Sequence, residues 1–276
     1  MRLQPAGPTL SVYFVRTSVS SKSWAPPVKA WNTGVTFTFP FRCDFEFRVS
    51  FVLCIVDNWR NGRNPAVQIL NTSVTASLRR GTALRLNLGS GQRRLEGYFN
   101  VDCTTVTQPD LLADLNEPLD CLPDNCVEAV YARHTLEHIE NFIGLLGELH
   151  RVCRADATLD IIVPHFSNPY GFSDPTHVRF FGLYSFFYFA DAQDQPRRKV
   201  PSFYTPMRFR VEKVEFRLLK ESLLEKCARA ALEPLINRSV RGLDWYERRM
   251  CRLFPVGDVR YLLKPVKTVT AIRKAA

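Results

Sequence analysis

The pattern of apolar and polar residues divides the chain near residue 84. From there onward, short apolar segments are separated by longer mixed segments. The apolar segments predict strands at 84–88, 99–102, 127–132 and 159–163. Before the last of these, residues 139–152 carry apolar side chains at helical spacing and predict an amphipathic helix. Strands that alternate with helices are typical of a parallel sheet.

The C-terminal part predicts a different arrangement. Residues 209–219 alternate as a strand, 221–233 predict a helix that ends at Pro234, and 244–254 predict a second helix before a last strand at 259–264. We therefore expect an α/β fold of Rossmann-like type. Its sheet would be mostly parallel, with an antiparallel C-terminal edge strand and helices on both faces.

Residues 1–83 follow neither pattern. Apolar residues at every second position predict a strand over 35–47, but the surrounding prolines argue against a regular sheet. No helix with a convincing cap is predicted before residue 84. We expect two parts: a poorly defined or partly disordered N-terminal extension, 1–83, and one folded domain, 84–276.

Composition excludes several classes of protein. Hydrophobic residues make up 46% of the 276 positions and charged residues 23%, which suits a globular core. The longest apolar runs are too short to cross a membrane, and the N-terminus lacks the order of a secretory signal. The eight cysteines form no Cys-x-x-Cys pair and favour free thiols. We expect a cytoplasmic protein.

The net charge of +10 is unevenly distributed: +7 over 1–83, −9 over 84–196 and +12 over 197–276. A basic C-terminal third could make peripheral contact with a membrane or bind a phosphate-rich partner. The solvated face of helices explains the same residues better. No aromatic-interleaved motif accompanies the charge, so a nucleic-acid partner is not expected.

A glycine pair follows the first predicted strand. Gly89 and Gly91 lack a Cβ, so the backbone there can approach a ligand closely. Asp102 ends the second strand, where a carboxylate can accept hydrogen bonds from ribose hydroxyls. Each signal alone is weak, and together they indicate a nucleotide-like ligand.

These residues belong to a larger set of motifs. The set comprises Asn87-Leu88-Gly89-Ser90-Gly91, 97–102, Asp114-Leu115-Asn116, 122–124, 134–138, 148–152, 164–170 and 174–177. It resembles class I S-adenosylmethionine-dependent methyltransferases, and more narrowly a bacterial subgroup often placed among surface-polysaccharide genes. The resemblance covers about 84–276 and none of 1–83.

The resemblance implies roles for individual residues. S-adenosylmethionine would be the cofactor and S-adenosylhomocysteine the product, with no metal required to bind them. The strand end at Asn87 and Leu88 leads into the loop Gly89, Ser90 and Gly91, which would wrap the methionine end. Asp102 would hold the ribose, Asp114 and Leu115 would flank the adenine, and His134 would lie near the sulfonium.

Two segments depart from the family pattern. Only residues 92–98 separate Gly91 from the second strand, so the intervening helix must be very short. The usual Pro-Gly-Gly turn is replaced by Ala155-Asp156-Ala157, in which Asp156 can tolerate a left-handed backbone.

Three residues beyond the fourth strand suggest catalysis. Methyl transfer to a hydroxyl requires removal of its proton, and a histidine oriented by a carboxylate suits that task. His165, Asp174 and His177 are the candidates, although packing or turn formation explains them about equally. Family analogy suggests a hydroxyl of a sugar or other small saccharide acceptor.

Two alternatives remain open. His134-x-x-Glu137-His138 matches an inverted zinc-peptidase motif and would make the protein a zinc-dependent hydrolase. A non-catalytic cofactor-binding protein of the same fold is the other. The aromatic run at 180–189 suits core packing better than a lid over the acceptor.

Overall fold

A computed structural model describes residues 67–267. Within this range, eight strands and four α-helices follow one another in the order β1 (Gln68–Ile69), α1 (Thr72–Arg80), β2 (Leu84–Leu88), β3 (Phe99–Asp102), β4 (Leu111–Leu112), β5 (Val127–Arg133), α2 (Phe142–Val152), β6 (Cys153–Pro164), β7 (Arg208–Leu218), α3 (Leu223–Ile236), α4 (Val240–Arg249) and β8 (Val256–Val266). In the same range, no helix is both long and apolar enough to cross a bilayer.

The strands form one mixed sheet with the order β1-β4-β3-β2-β5-β6-β8-β7. Five neighbouring strands in this order, β4, β3, β2, β5 and β6, are mutually parallel. Strand β8 inserts antiparallel between β6 and β7, and β1 pairs antiparallel with β4 at the other edge. The predicted α/β class, with a mostly parallel sheet and antiparallel strands at its C-terminal side, is confirmed.

The core forms where the central strands are apolar on both faces. In β2, Leu84, Leu86 and Leu88 are fully buried, as expected for a strand covered on both sides. Helix α2 buries its apolar stripe, including Leu145 and Leu149, four residues apart and therefore on one helical face. Most of the aromatic run at 180–189 also lies in this core rather than over the surface.

The connection between β2 and β3, residues 89–98, contains no helix, so the expectation of a very short helix is wrong. A polar network holds the segment instead. Arg94 Nη2 lies 3.2 Å from Asp110 Oδ2, and the same carboxylate oxygen accepts the backbone N–H of Asn100 at 2.7 Å. Burial alone would raise the pKa of Asp110, but these donors and Asn71 lower it below its ordinary value. Asp110 therefore anchors the segment as a carboxylate.

The prediction that no capped helix precedes residue 84 is wrong. The side chain of Asn71 caps α1 by accepting the N–H of Ser73 at 2.9 Å, and Gly81 ends the helix with a left-handed φ of 70°. This helix packs on the domain through Val74, whose side chain is fully buried in the core. The predicted strand over 35–47 lies outside the described residues, and the nature of the N-terminal extension stays a prediction.

Three boundaries in the C-terminal half also differ from expectation. Helix α3 continues past Pro234 to Ile236, although Pro234 has no backbone N–H to donate to the preceding turn. Helix α4 begins at Val240 and ends at Arg249, earlier than predicted. Strand β6 starts at Cys153, so residues 155–157 are part of a strand and Asp156 is not left-handed. A register shift against β5 takes up the extra residues there.

Candidate functional site

The carboxyl ends of β2, β3, β5 and β6 meet at one edge of the sheet. In open α/β sheets, ligands bind outside this edge. The glycine loop follows β2, Asp102 ends β3, His134 follows β5 and His165 follows β6. The fold therefore brings the predicted cofactor and catalytic segments to the same side.

The glycine loop is packed against the segment that follows β5. Gly89 and Gly91 adopt left-handed φ values of 57° and 52°. A Cβ added to Gly89 would lie 2.4 Å from both Cγ2 and Oγ1 of Thr135. Thr135 itself donates from Oγ1 to the backbone carbonyl of Leu88 at 3.1 Å. A side chain at position 89 is thus excluded by both the backbone conformation and the neighbouring residue.

Asp102 fastens the glycine loop to the end of β3. Its side chain is buried, and Oδ2 accepts the backbone N–H of Gly91 at 2.8 Å while Oδ1 accepts that of Thr104 at 3.3 Å. Burial raises the pKa of Asp102 above its ordinary value, although these backbone donors act against the rise. A buried carboxylate therefore lies directly beside the glycine loop.

Several predicted cofactor residues point their side chains into the protein. Asn87 donates from Nδ2 to the carbonyl of Arg93 and to Asn100 Oδ1, both at 2.8 Å. The side chains of Leu88 and Ser90 are buried. Only the backbone of these three residues is available to a ligand.

The predicted adenine-flanking pair lies in the loop after β4. Asp114 accepts the backbone N–H of Asn116 at 2.9 Å and its side-chain amide at 3.0 Å, which forms a turn. Leu115 is buried in the core. Their proposed role toward adenine stays a prediction.

His134 lies between two carboxylates. Its backbone is left-handed, with φ 53°, and its side chain is 26% exposed. Nδ1 lies 3.5 Å from Glu137 Oε1, and Nε2 lies 3.6 Å from Asp258 Oδ1. Burial lowers the pKa of His134, but Glu137 and Asp258 together raise it above its ordinary value. The surroundings therefore favour the imidazolium form.

The inverted zinc-peptidase motif does not have the geometry that its chemistry needs. That motif requires two histidines four residues apart on one α-helix. Here Leu136–His138 form a single 3₁₀ turn, and His134 precedes it in a left-handed conformation. The two histidines are not on one helical face.

His165 is enclosed in the protein. Its side chain has no exposed area; Nε2 donates to Glu247 Oε1 at 3.0 Å, and Nδ1 accepts the backbone N–H of Ser167 at 3.1 Å. The ring packs against Phe166 and Phe216, with centroid distances of 4.3 and 5.0 Å. Burial lowers the pKa of His165. Both nitrogens are engaged within the fold, which suits a structural link between the loop after β6 and helix α4.

Asp174 and His177 are brought together, apart from the partners of His165. Nε2 of His177 lies 3.9 Å from Oδ2 of Asp174, and Nδ1 lies 2.8 Å from the carbonyl oxygen of Gly171. The ring of His138 lies edge-on to that of His177, 4.7 Å between centroids. Asp174 also accepts the hydroxyl of Thr176 at 2.6 Å. This cluster faces the carboxyl edge of the sheet.

Three residues at this edge are not among the site residues predicted for a methyltransferase. Glu137 and His138 belong to the zinc-peptidase motif, which predicts His134 and His138 as a helical ligand pair and gives no sign that Glu137 and His138 lie near His177. Asp258 gave no signal, because it reaches His134 only through the insertion of β8 beside β6.

No family model and no curated protein matches the chain. Among solved structures, it is similar to a methyltransferase from Archaeoglobus fulgidus that depends on S-adenosylmethionine, at 20% identity and TM-score 0.41, covering 70% of this chain and 93% of that one. It is also similar to a putative type 11 methyltransferase from Sulfolobus solfataricus, at 12% identity and TM-score 0.37, covering 73% and 96%. A third, from Mesorhizobium loti, is 14% identical with TM-score 0.33, covering 70% and 96%.

Likeness at these identities concerns the fold alone. The sheet provides the stronger observation: five parallel strands, followed by a C-terminal strand inserted antiparallel, with helices in the connections. The described part of the chain has a Rossmann-like α/β fold with a mostly parallel sheet.

Proposed function

We propose that this protein transfers the methyl group of S-adenosylmethionine to a hydroxyl of a small acceptor, a sugar or polysaccharide precursor, and releases S-adenosylhomocysteine. One observation carries the proposal. The loop with glycines at positions 89 and 91 is fastened by the backbone N–H of Gly91 to the buried carboxylate of Asp102, at the carboxyl edge of the parallel strands. That edge is where such sheets bind nucleotide-like ligands.

The hydrogen-bonding groups at this edge fit the proposed cofactor. A carboxylate has about four acceptor positions. In Asp102, the backbone N–H groups of Gly91, Thr104 and Cys103 use three of these positions. The remaining position can accept a ribose hydroxyl. The glycine loop offers backbone to the methionine end, with no Cβ in the way.

The charges around His134 suit a cationic cofactor. One imidazole lies between the carboxylates of Glu137 and Asp258. Carboxylates attract the sulfonium. Transfer removes the positive charge from sulfur, so an unopposed pair of carboxylates would favour the ground state over the transition state. The imidazolium of His134 offsets part of that charge.

The Asp174–His177 pair is our proposal for removing the acceptor proton. Nδ1 of His177 faces the carbonyl of Gly171, so the neutral ring carries its proton there and its lone pair on Nε2. Asp174 lies beside that nitrogen. His165 has no role in the proposed reaction, because both nitrogens of its ring have hydrogen-bond partners inside the fold.

The first test is cofactor binding by calorimetry. We expect the folded protein to bind S-adenosylmethionine and S-adenosylhomocysteine. Asp102→Asn should weaken binding by about 10- to 150-fold, the equivalent of about 1.5–3 kcal/mol for hydrogen bonds to a charged group. Asp120→Asn, which changes an exposed carboxylate, is the matched control and should bind normally. Absence of binding by well-folded protein would reject the proposal.

The second test is turnover. S-adenosylhomocysteine release should appear with one or more members of a panel of sugars and sugar nucleotides. Cofactor binding without release across sugar, lipid and peptide acceptors would favour a non-catalytic protein of the same fold.

A further inference from the structure

Three side chains converge beside the proposed acceptor side. Glu137, His138 and His177 each offer one possible metal-ligand atom, and these atoms lie within 4.8 Å of one another. Glu137 and His138 come from the 3₁₀ turn after β5, and His177 comes from the loop after β6. Two neighbouring crossovers therefore supply the cluster, at the carboxyl edge of the sheet.

Glu137 is the unusual member of this cluster. It is 1% exposed, and neither carboxylate oxygen has a hydrogen-bond partner within residues 67–267. Its contact with His134 Nδ1 is 3.5 Å, an ion-pair distance. A buried carboxylate is expensive unless a cation or several donors compensate it. The carboxylate can keep one oxygen toward His134 and still offer the other to a metal ion.

The two histidines are oriented as metal ligands usually are. Nδ1 of His177 lies 2.8 Å from the Gly171 carbonyl oxygen, and Nδ1 of His138 lies 2.9 Å from Thr176 Oγ1. A metal-ligating imidazole typically uses one nitrogen for such a hydrogen bond, which fixes the ring and directs the lone pair of the other nitrogen to the metal. The rings lie 4.7 Å apart between centroids.

We propose that Glu137, His138 and His177 bind one divalent transition-metal ion, with Zn²⁺ as the best match. Two imidazoles and one carboxylate are a ligand set of catalytic zinc sites, which keep a further position open for water or substrate. Ca²⁺ and Mg²⁺ prefer oxygen ligands and fit less well. This set differs from the His134/His138 pair of the zinc-peptidase motif, because His177 replaces His134.

The consequence for catalysis rests on the proposed methyltransferase function. The open position of the metal takes the acceptor hydroxyl and lowers its pKa. The hydroxyl proton passes to Asp174, which lies 3.9 Å from His177 Nε2. The oxygen then forms a bond to the methyl carbon while the carbon–sulfur bond breaks, leaving its electron pair on sulfur. When the metal is bound, His177 is a ligand, so within the Asp174–His177 pair it is Asp174 that accepts the proton.

The test is direct measurement of zinc in tag-free protein. The protein is stripped with a chelator, incubated with Zn²⁺, dialysed and analysed by mass spectrometry of the metal. Competition with a chromophoric chelator gives the affinity. We expect one zinc per chain. His177→Ala and Glu137→Gln should each weaken binding at least about 100-fold, since even outer partners of a metal site change affinity by about 10- to 100-fold.

His150→Ala is the matched control. His150 lies on α2, its Nε2 is 3.1 Å from the carbonyl oxygen of Val266, and it takes no part in the cluster. It should bind zinc as the unaltered protein does. Circular dichroism confirms that each variant is folded. Failure of stripped protein to bind zinc, or a zinc affinity in His177→Ala and Glu137→Gln that is unchanged from the unaltered protein, would overturn the site.

Calorimetry with S-adenosylmethionine on the same samples separates the two proposals. Zinc binding without cofactor binding supports the metal site and rejects the enzyme function. Cofactor binding without zinc rejects the metal site alone.

Discussion

Replacement of Gly89 by alanine tests the structural basis of the glycine loop. The added methyl group meets two obstacles: a left-handed backbone, with φ 57°, and the side chain of Thr135, whose Cγ2 and Oγ1 would lie 2.4 Å from the new Cβ. Heavy atoms at that distance overlap severely. Either the glycine loop or the crossover after β5 has to move.

The two obstacles have separable magnitudes. A left-handed conformation costs a non-glycine residue about 1–2 kcal/mol. Overpacking a closely filled site costs about 1–3 kcal/mol more. We therefore expect Gly89→Ala to lower the free energy of unfolding by about 2–5 kcal/mol.

Gly97→Ala is the matched control, because it shares the backbone effect without the clash. Gly97 also has a left-handed φ, 75°, but the nearest atom to an added Cβ is Arg85 Nη1 at 3.8 Å. Urea denaturation at 25 °C should show a loss of about 1–2 kcal/mol for this variant. Removing the obstructing atoms with Thr135→Ala should restore part of the loss in Gly89→Ala.

The reasoning is refuted if Gly89→Ala and Gly97→Ala lose equal stability. It is also refuted if Thr135→Ala lowers the stability of the Gly89→Ala variant by as much as it lowers that of the unaltered protein. Either outcome would mean that contact with Thr135 does not determine the loop conformation.

Three further changes test other parts of the structure. Asp110→Asn should lower the free energy of unfolding by about 1.5–3 kcal/mol in urea denaturation, since the carboxylate that accepts from Asn100 is lost. Glu247→Gln should produce a similar loss of about 1.5–3 kcal/mol, because a buried charge-assisted acceptor is removed, and a normal melting temperature would contradict it. The raised pKa of His134 contributes stability that is complete below its unfolded pKa of about 6.5 and is lost as pH rises through the folded pKa. The stability difference between unaltered protein and Asp258→Asn should therefore shrink as pH rises from 6 to about 8.5, and a difference that grows would contradict the assignment.

Local patterns in the sequence were sufficient for much of the fold. The strands at the sheet centre are short apolar runs between turns, so periodicity located them within a few residues. Helix α1 also had local signals, Asn71 at its start and Gly81 at its end. The proline-rich segment before them favours irregular structure throughout 1–83 and outweighs these two short signals.

Distant contacts determined what the sequence did not predict. His165 follows a strand at the correct edge, yet its partner Glu247 lies on α4 and draws it into the interior. Asp258 reaches His134 only because β8 pairs with β6. Neither pairing can be predicted from the spacing of residues along the chain. The sequence therefore identifies candidate catalytic residues but does not show which of them lie together.

The position of β8 also imposes an order on assembly. Strand β7 precedes β8 in the chain, yet its only strand partner in the described sheet is β8, which in turn pairs with β6. During synthesis, β7 leaves the ribosome before the strand that connects it to the rest of the sheet exists. Its unpaired edge and apolar side chains then remain exposed until residues 256–266 emerge, a condition that favours aggregation. Chaperone dependence during translation should therefore be concentrated in this C-terminal quarter rather than in the half that contains the glycine loop.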